Sequence, residues 1–92
     1  MSSFKLIVST PDGNKFSGEA AMLSVRGSEG DLAVMPGHIP FITAVKPCVC
    51  TIVFEDGSEK KGRTEGGLLT VSNEATTLMT SSFAWSAEEK EE

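Results

Sequence analysis

Histidine and tyrosine, which serve in many catalytic and metal-binding sites, are almost absent from the sequence. It has no tyrosine, and His38 is its only histidine among 92 residues. A histidine acting as a general base needs a group that orients it, and a metal ion needs several ligands close together. The nearest acids in sequence, Glu29 and Asp31, lie across a predicted strand from His38. We therefore predict no catalytic residue, no metal site and no cofactor, and expect His38 in a turn or an interface.

Cysteine is also scarce, and its spacing excludes a disulfide framework. Cys48 and Cys50 are two positions apart, on the same side of a predicted strand, where direct pairing would distort the backbone. The spacing is not the C-x-x-C of redox loops, and there is no second cysteine or histidine cluster to complete a metal site. We predict a reducing compartment, with both cysteines packed in the core beside Ile52 and Phe54.

Clustered positive charge and long apolar runs are absent too. The net charge is −5, and Glu88–Glu92, with four acidic and one basic residues, contributes −3 of it, which leaves −2 for the rest. The densest basic stretch, Lys60–Arg63, faces Glu55 and Asp56 across a predicted hairpin, which indicates solvated cross-strand charge and no nucleic-acid partner. No run approaches the roughly 18 apolar residues of a membrane span, and the N-terminus lacks the apolar core of a signal peptide. We expect a protein of the cytoplasmic side.

What the sequence does contain is a series of short alternating strands in one small domain. Apolar alternation and turn residues recur every 8 to 12 residues or so, which is typical of a β-sandwich or barrel. Asp56-Gly57 and Asn73-Glu74 predict hairpins, and Gly18 suggests a bulge. Only residues 82–92 have a helical composition, so we predict a β-sandwich domain at 1–82 and a frayed or weakly helical acidic tail at 83–92. The predicted strands cover residues 4–9, 15–19, 21–26, 31–35, 41–45, 49–55, 58–64, 68–72 and 75–80.

The stretch GSEGDLAVMPGHIP, Gly27 to Pro40, concentrates three glycines, two prolines and the only histidine. It predicts a turn at 27–30, a short strand and a type II turn at 35–38. Phosphate-binding glycine loops open onto a helix, whereas strands follow here, so we predict hairpin turns at 27–30 and at Glu65-Gly66-Gly67. Apolar loop residues often mark a protein-binding patch. The residues alone therefore indicate a binding or adaptor domain without naming its partner; the apolar loop residues are Met35, Ile39, Pro40 and Phe41.

The same stretch resembles the signature loop of the epsilon subunit of rotary, F-type ATP synthases. The likeness continues through Thr43–Pro47 and Gly66–Val71 and covers about Phe4 to Met79. Three positions depart from the family pattern. Cys48 stands where glycine usually follows Lys-Pro, Glu65 replaces a small residue, and Ala33 sits where glycine is common.

The resemblance implies an all-β, two-sheet β-sandwich of about ten short strands at the foot of the central stalk. Its implied role is non-catalytic: it would clamp the gamma subunit to the membrane c-ring and help couple ion translocation to ATP synthesis. It would lie at the cytoplasmic face of the bacterial inner membrane, touching the membrane only through the complex, and would be a monomer or weak dimer when isolated. Most bacterial members continue into a C-terminal helical hairpin that can inhibit ATP hydrolysis. This chain ends where that hairpin would begin, so we expect no hairpin-dependent inhibition.

The argument from the residues leaves one alternative open. That alternative is an independent β-sandwich adaptor or ligand-binding module, which a concave ligand pocket would favour. A small enzyme is disfavoured by the lack of a convergent polar site.

The resemblance also implies two contact regions. The implied gamma-binding residues are Ser9, Thr10, His38, Ile39, Pro40, Phe41, Ile42 and Thr43, with Ile39, Pro40 and Phe41 as buried anchors. The implied residues for the polar loops of the c-ring are Arg26, Gly27, Ser28, Glu29, Gly30 and Asp31, with Glu29 and Asp31 facing basic loop residues.

Overall fold

A computed structural model describes residues 3–37 and 39–85, so His38 and residues 86–92 lie outside the described residues. The described chain contains ten strands. No helix among these residues is long and apolar enough to cross a bilayer. The strands are β1 (Phe4–Thr10), β2 (Gly13–Ala20), β3 (Met22–Gly27), β4 (Gly30–Val34), β5 (Phe41–Val45), β6 (Cys48–Val53), β7 (Glu59–Thr64), β8 (Gly67–Val71), β9 (Thr76–Thr80) and β10 (Phe83–Trp85).

The strands form one hydrogen-bonded sheet that folds over itself into two layers around a shared core. The first layer has the order β10-β7-β6-β3, with β4 on the far side of β3, and the second has the order β5-β8-β9-β1-β2. The layers are joined by a single residue pair, Gly27 with Val45. All pairings are antiparallel except that of β1 with β9. The predicted all-β sandwich of about ten strands is confirmed.

Strand alternation places one apolar face of each layer in the core. In β1, Leu6 and Val8 are buried while Lys5 is exposed, which is the period of two that a half-buried strand requires. The cysteines are only partly as predicted, because Cys50 is fully buried and Cys48 is half-buried. The buried apolar residues are Leu6, Val8, Ala20, Leu23, Val25, Val34, Val45, Cys50, Ile52, Leu69, Val71, Leu78 and Phe83.

Aromatic side chains bring the two edge strands, β2 and β10, together. The ring of Phe16 in β2 lies 6.1 Å from the ring of Trp85 in β10, nearly edge-on, and 6.0 Å from Phe54 at the end of β6. The Lys60 Nζ atom lies 4.4 Å from the centre of the Trp85 ring and adds a cation–π contact. The sheet is therefore nearly closed, and the rings cover edges that would otherwise offer unpaired backbone groups.

The strand called β10 corrects the predicted domain boundary. Phe83–Trp85 were assigned to the acidic tail, but they pair with Thr64, Arg63 and Gly62 of β7. Phe83 is buried because its ring occupies the space that a β-carbon at Gly62 would take. A strand of three residues is too short to leave a periodic signal. The β-domain therefore extends at least to Trp85, and the remainder of the predicted tail lies outside the described residues.

The predicted bulge is also placed elsewhere. Gly18 pairs regularly with Leu6, and the register between β1 and β2 shifts between Val8 and Ser9. Glycine at position 18 instead makes room for an aromatic ring, because a β-carbon there would lie 3.3 Å from the Phe16 ring. Gly18 thus allows the Phe16 ring to pack against the backbone, and it does not mark a bulge.

The β6–β7 hairpin forms where Asp56-Gly57 predicted it, but its loop is longer. The Phe54 N–H donates to the Ser58 carbonyl at 2.9 Å, and the Gly57 N–H donates to the Phe54 carbonyl at 2.9 Å. Gly57 has a φ of +90°, so the loop is residues 55–57 with a left-handed glycine last. This is the pattern of a three-residue hairpin with a bulge.

The predicted hairpin turn at Glu65-Gly66-Gly67 is wrong. Its flanking strands, β7 and β8, do not pair with each other and belong to different layers. The segment is a crossover that passes close to β5, since a β-carbon at Gly66 would lie 2.9 Å from the carbonyl oxygen of Val45. Gly66 also has a φ of +100°, which disfavours any other residue.

A buried hydroxyl pair fixes this crossover. The Thr64 hydroxyl donates to Thr80 Oγ1 at 2.7 Å and accepts from the Gly66 N–H at 3.1 Å, and the Thr80 hydroxyl donates to the Gly66 carbonyl at 2.7 Å. Both threonine side chains are buried. Four polar groups, the two hydroxyls and the N–H and carbonyl of Gly66, are therefore satisfied by one another.

Thr80→Val should lower the free energy of unfolding by about 1–3 kcal/mol, since it keeps the shape of the side chain and removes the partner of two buried polar groups. Urea denaturation would measure the difference. Thr77→Val, on the outer face of the same strand, is the control and should change stability by less than about 0.5 kcal/mol. Equal effects from both substitutions would contradict a structural role for the hydroxyl pair.

Candidate functional site

The second layer has an outer face without charge across its centre. Two cross-strand rows run over β5, β8, β9, β1 and, in the longer row, β2. Ile42 is 66% exposed, and Leu68 and Met79 are also exposed large apolar residues. We call these nine residues the neutral face: Ile42, Thr70, Thr77, Ile7 and Ser17 form one row, and Ala44, Leu68, Met79 and Ser9 form the other.

The outer face of the first layer is charged. Ion pairs join Arg26 to Asp31 at 3.1 Å, Lys61 to Glu59 at 3.4 Å and Arg63 to Glu65 at 3.3 Å, with all six side chains more than half exposed. Such exposed pairs contribute about 1 kcal/mol or less each. Val49 is the large apolar residue exposed among them, at 50%. The outer faces of the two layers therefore differ in charge, although in both layers they are formed by every second residue of each strand.

The charges of the β6–β7 hairpin are solvated as predicted, but Lys61 and Arg63 pair along the chain and not across the hairpin. Lys61 pairs with Glu59 two residues earlier on the same strand, and Arg63 pairs with Glu65 two residues later. Asp56, at the hairpin loop, accepts hydrogen bonds from the Ser58 hydroxyl at 2.6 Å and the Ser58 N–H at 2.9 Å. Both bonds lower the pKa of Asp56, and the bond from the Ser58 hydroxyl has the larger effect. Its carboxylate is therefore held in the turn by Ser58.

Four of the eight residues implied for gamma binding are accessible. Ser9 and Ile42 lie in the two rows of the neutral face, and Ile39 and Pro40 are exposed just before β5. The other described members point inward or pack on the core, and His38 lies outside the described residues. The inward members are Thr10, which is buried and bonds the Gly13 carbonyl, Phe41, which packs on the core, and Thr43, which lies opposite buried Leu69.

Strand alternation explains why Phe41 is not an exposed anchor. In β5, Phe41, Thr43 and Val45 occupy the inward positions, so Ile42 and Ala44 face out. Alternation could also have identified exposed neighbours such as Leu68 and Met79. It could not have indicated that they lie beside Ser9, because that depends on the parallel pairing of distant strands.

All six residues implied for c-ring binding lie on the β3–β4 hairpin. Ser28 and Glu29 form its two-residue turn between the paired Gly27 and Gly30, and Glu29 is exposed at the tip. The hairpin turn predicted at residues 27–30 is therefore confirmed. Asp31 is engaged by Arg26 across the hairpin, at 3.1 Å.

Backbone hydrogen bonds attach this hairpin to β5. The Ser28 N–H donates to the Ala44 carbonyl at 3.0 Å, and the Lys46 N–H donates to the Arg26 carbonyl at 2.9 Å. The side chain of Ala44 belongs to the neutral face. The hairpin and the neutral face are therefore parts of one hydrogen-bonded unit.

Two concavities of the described region are shallow. One, about 470 Å³, lies between the start of β1, the segment after β4 and the β8–β9 turn. Another, about 420 Å³, lies beside Arg26, Cys48 and Arg63. Among residues 3–37 and 39–85, no group of three or more His, Cys, Asp or Glu side chains could hold a metal ion.

The two-layer β-sandwich is the fold of a known subunit domain. Residues 3–86 match the family described as ATP synthase, Delta/Epsilon chain, beta-sandwich domain, so the chain belongs to that family. It is 36% identical over 88 residues to the ATP synthase epsilon chain of Clostridium perfringens strain SM101. That alignment covers 96% of this chain and 66% of the relative, so the chain spans slightly less than two thirds of the relative's length.

Two solved structures have the same fold at low sequence identity. One is a chain in the Euglena gracilis mitochondrial ATP synthase structure that contains OSCP, F1 and the c-ring, with a TM-score of 0.87, 19% identity and coverage of 94% of this chain and 55% of that one. The other is a chain in the central stalk and c-ring structure of the Tetrahymena thermophila mitochondrial ATP synthase, with a TM-score of 0.76, 12% identity and coverage of 97% and 71%. The family that the signature loop indicated is confirmed.

Proposed function

We propose that this chain is the β-sandwich part of a non-catalytic rotor subunit of an F-type ATP synthase. It binds the gamma subunit through the neutral face and the polar loops of the c-ring through the β3–β4 hairpin. It lies at the cytoplasmic face of the bacterial inner membrane and reaches the membrane only through the complex. Family membership supports the assignment, and the similar chains in solved structures come from ATP synthase assemblies that include the c-ring.

The neutral face is the observation that carries the gamma proposal. The neutral face exposes Ile42, Leu68 and Met79, and the charges of Lys5 and Glu19 lie beside it. The opposite face differs because it carries three ion pairs. Burying such side chains contributes about 25 cal/mol per Å² of apolar area. The nine residues themselves carry no charge, so burying them loses little of that gain to desolvation. Contiguous exposed apolar area of this kind is typical of protein-binding surfaces.

The hairpin suits a partner with basic loops. Glu29 projects at the tip of a turn whose backbone is attached to β5, which leaves a carboxylate at a fixed position. Carboxylates at the rim of an interface guide approach and register more than they add affinity. Because β5 carries part of the neutral face and is hydrogen-bonded to the hairpin, force applied at the hairpin passes directly to the gamma-binding face. The domain would therefore transmit torque between c-ring and gamma without bond chemistry.

Ile42→Asp should weaken binding of the purified gamma subunit from the same organism by roughly 30-fold or more, since it places a charge at the most exposed apolar position of the neutral face. Isothermal titration calorimetry would measure the affinity. Val49→Asp is the matched control, because it makes the same chemical change at a half-exposed position of the charged face, and its affinity should stay within about threefold of wild type.

Thermal denaturation of both variants would establish that they are folded. Phe41→Asp is unsuitable for this test because it would force a charge against the core. Equal binding by the two folded variants would refute the neutral face as the gamma site. Absence of gamma binding by folded wild-type protein would favour the independent β-sandwich adaptor instead.

A further inference from the structure

We propose that β4 is a docking strand for a second copy of this chain, which adds to its free edge and joins the first layers of two molecules into one sheet. β4 pairs with β3 on one side, and no other strand of residues 3–37 and 39–85 pairs with it. The edge strands β2 and β10, by contrast, are drawn together by Phe16 and Trp85, whose rings lie 6.1 Å apart. The pairing itself is independent of the proposed rotor function.

Hydrogen bonds of β3 show which of its residues turn their backbone groups toward β4. The Arg26 N–H donates to Cys48 Sγ at 3.4 Å, and the Arg26 carbonyl accepts from the Lys46 N–H at 2.9 Å. Both backbone groups of Arg26 therefore point away from β4. Successive residues of a strand point these groups to opposite sides, so those of Gly27 point toward β4.

The same alternation makes Asp31 and Ala33 the residues of β4 whose backbone groups face the free edge. Gly30 pairs with Gly27, so Gly30 and, two residues on, Leu32 turn their N–H and C=O groups to β3. The N–H and C=O groups of Asp31 and Ala33 consequently point outward. A row of such groups at a sheet edge is a template for pairing with another strand.

The order of side chains along β4 selects an antiparallel pairing centred on Leu32. Asp31 of each copy then lies opposite Ala33 of the other, and each such pair exchanges two backbone hydrogen bonds. The half-buried Leu32 side chains of the two copies meet on the inner side. The pairing therefore satisfies the outward backbone groups and covers apolar surface at the same time.

The neighbouring registers are less favourable for the same strand. A pairing centred on Asp31 would place two carboxylates opposite each other, each on a side chain that is 76% exposed, and like charges directly opposite are destabilising. A pairing centred on Ala33 would need Met35, which lies beyond β4 and already has an interaction of its own. The edge is thus complementary to itself in the register centred on Leu32.

The expected dimer is weak, because five residues of one strand bury less area than the roughly 1,000 Å² of a stable interface. We expect a dissociation constant on the order of 100 µM. Gly30 and Asp31 also belong to the region proposed for the c-ring, so a second copy would occupy that region before assembly. This consequence alone rests on the proposed function.

Sedimentation equilibrium of the whole chain, from about 10 µM to about 1 mM, tests the pairing, and we expect a monomer–dimer equilibrium. Ala33→Pro removes an N–H that faces the free edge and spares the ladder to β3, so it should weaken the dimer by roughly tenfold or more. Ala33→Ser is the matched control at the same position. It keeps the N–H and should dimerise within about threefold of wild type.

A charge substitution tests the register. Ala33→Lys places an ammonium group opposite Asp31 of the second copy, so it should tighten the dimer by roughly threefold or more. Adding Asp31→Asn to the same chain should cancel this gain, because the carboxylate that the lysine faces is then lost. Circular dichroism would establish that each variant is folded.

Three results would overturn the proposal. One is a wild-type chain that stays monomeric up to about 1 mM. Another is a dimer that folded Ala33→Pro leaves intact, which would place the contact on another surface. The third is a dimer that Ala33→Lys leaves unchanged or weakens, and this variant remains decisive even where Ala33→Pro fails to fold. None of these results would alter the expected binding of gamma to the neutral face.

Discussion

Phe83→Ala should lower the free energy of unfolding by about 3–5 kcal/mol, which is a large part of the stability of a domain of this size. Phe83 is buried on the inner side of β10 and packs edge-on against Trp85, with ring centres 5.0 Å apart. Its ring also fills the space above Gly62. Alanine would leave a cavity there and loosen the contact that holds the last strand on β7.

Urea denaturation with linear extrapolation would measure the loss, and an unchanged slope would show that the unfolded state is comparable. Ala84→Ser is the control, since Ala84 lies on the exposed side of the same strand, and its effect should stay within about 0.5 kcal/mol. A change below about 1 kcal/mol for Phe83→Ala would mean that β10 is peripheral, as the assignment of Phe83 to the tail implied.

Gly67→Ala should destabilise the domain by about 3 kcal/mol or more, at the upper end of what overpacking costs. A β-carbon at Gly67 would overlap the carbonyl oxygen of Met79 and lie 2.9 Å from the Thr80 α-carbon. Both neighbours are backbone atoms of the paired strand β9, so neither can move without opening the ladder. The displacement would also disturb the Thr80 hydroxyl that bonds the crossover.

Gly57→Ala separates this steric effect from the cost of backbone conformation. Gly57 has a φ of +90° and open space around its α-carbon, so only conformational strain of about 1–2 kcal/mol is expected. Thermal melts and soluble yield of the two variants would be compared. A larger loss for Gly57→Ala than for Gly67→Ala would contradict the packing argument at β8–β9.

The three departures from the family pattern are accommodated locally. Glu65, in place of the family's small residue, is exposed and pairs with Arg63 at 3.3 Å. Cys48 begins β6, and no non-glycine residue in the described chain has a positive φ, so this position does not need glycine. Ala33 pairs with Ser24 on the β3–β4 ladder. The fold therefore tolerates each substitution.

The sequence by itself determined the local features of this protein. Strand alternation placed Leu6, Val8, Leu23 and Val25 inside, and the turn residues located the hairpins at Gly27–Gly30 and near Asp56-Gly57. These predictions succeed because side-chain period and turn conformation depend on residues close together in the chain. The family followed from the same kind of local pattern, in the loop from residue 27 to residue 40.

Only the tertiary structure decided which strands are neighbours, and with that the composition of the neutral face. Ser9 lies beside Met79 through the parallel β1–β9 pair, and Ile42 lies in the row that ends at Ser17 of β2. The crossover at residues 65–67 was missed for the same reason, whereas the strand Phe83–Trp85 is too short to leave a periodic signal. Pairing between distant strands is set by how much apolar surface the whole chain can bury at once, and no local pattern encodes that sum.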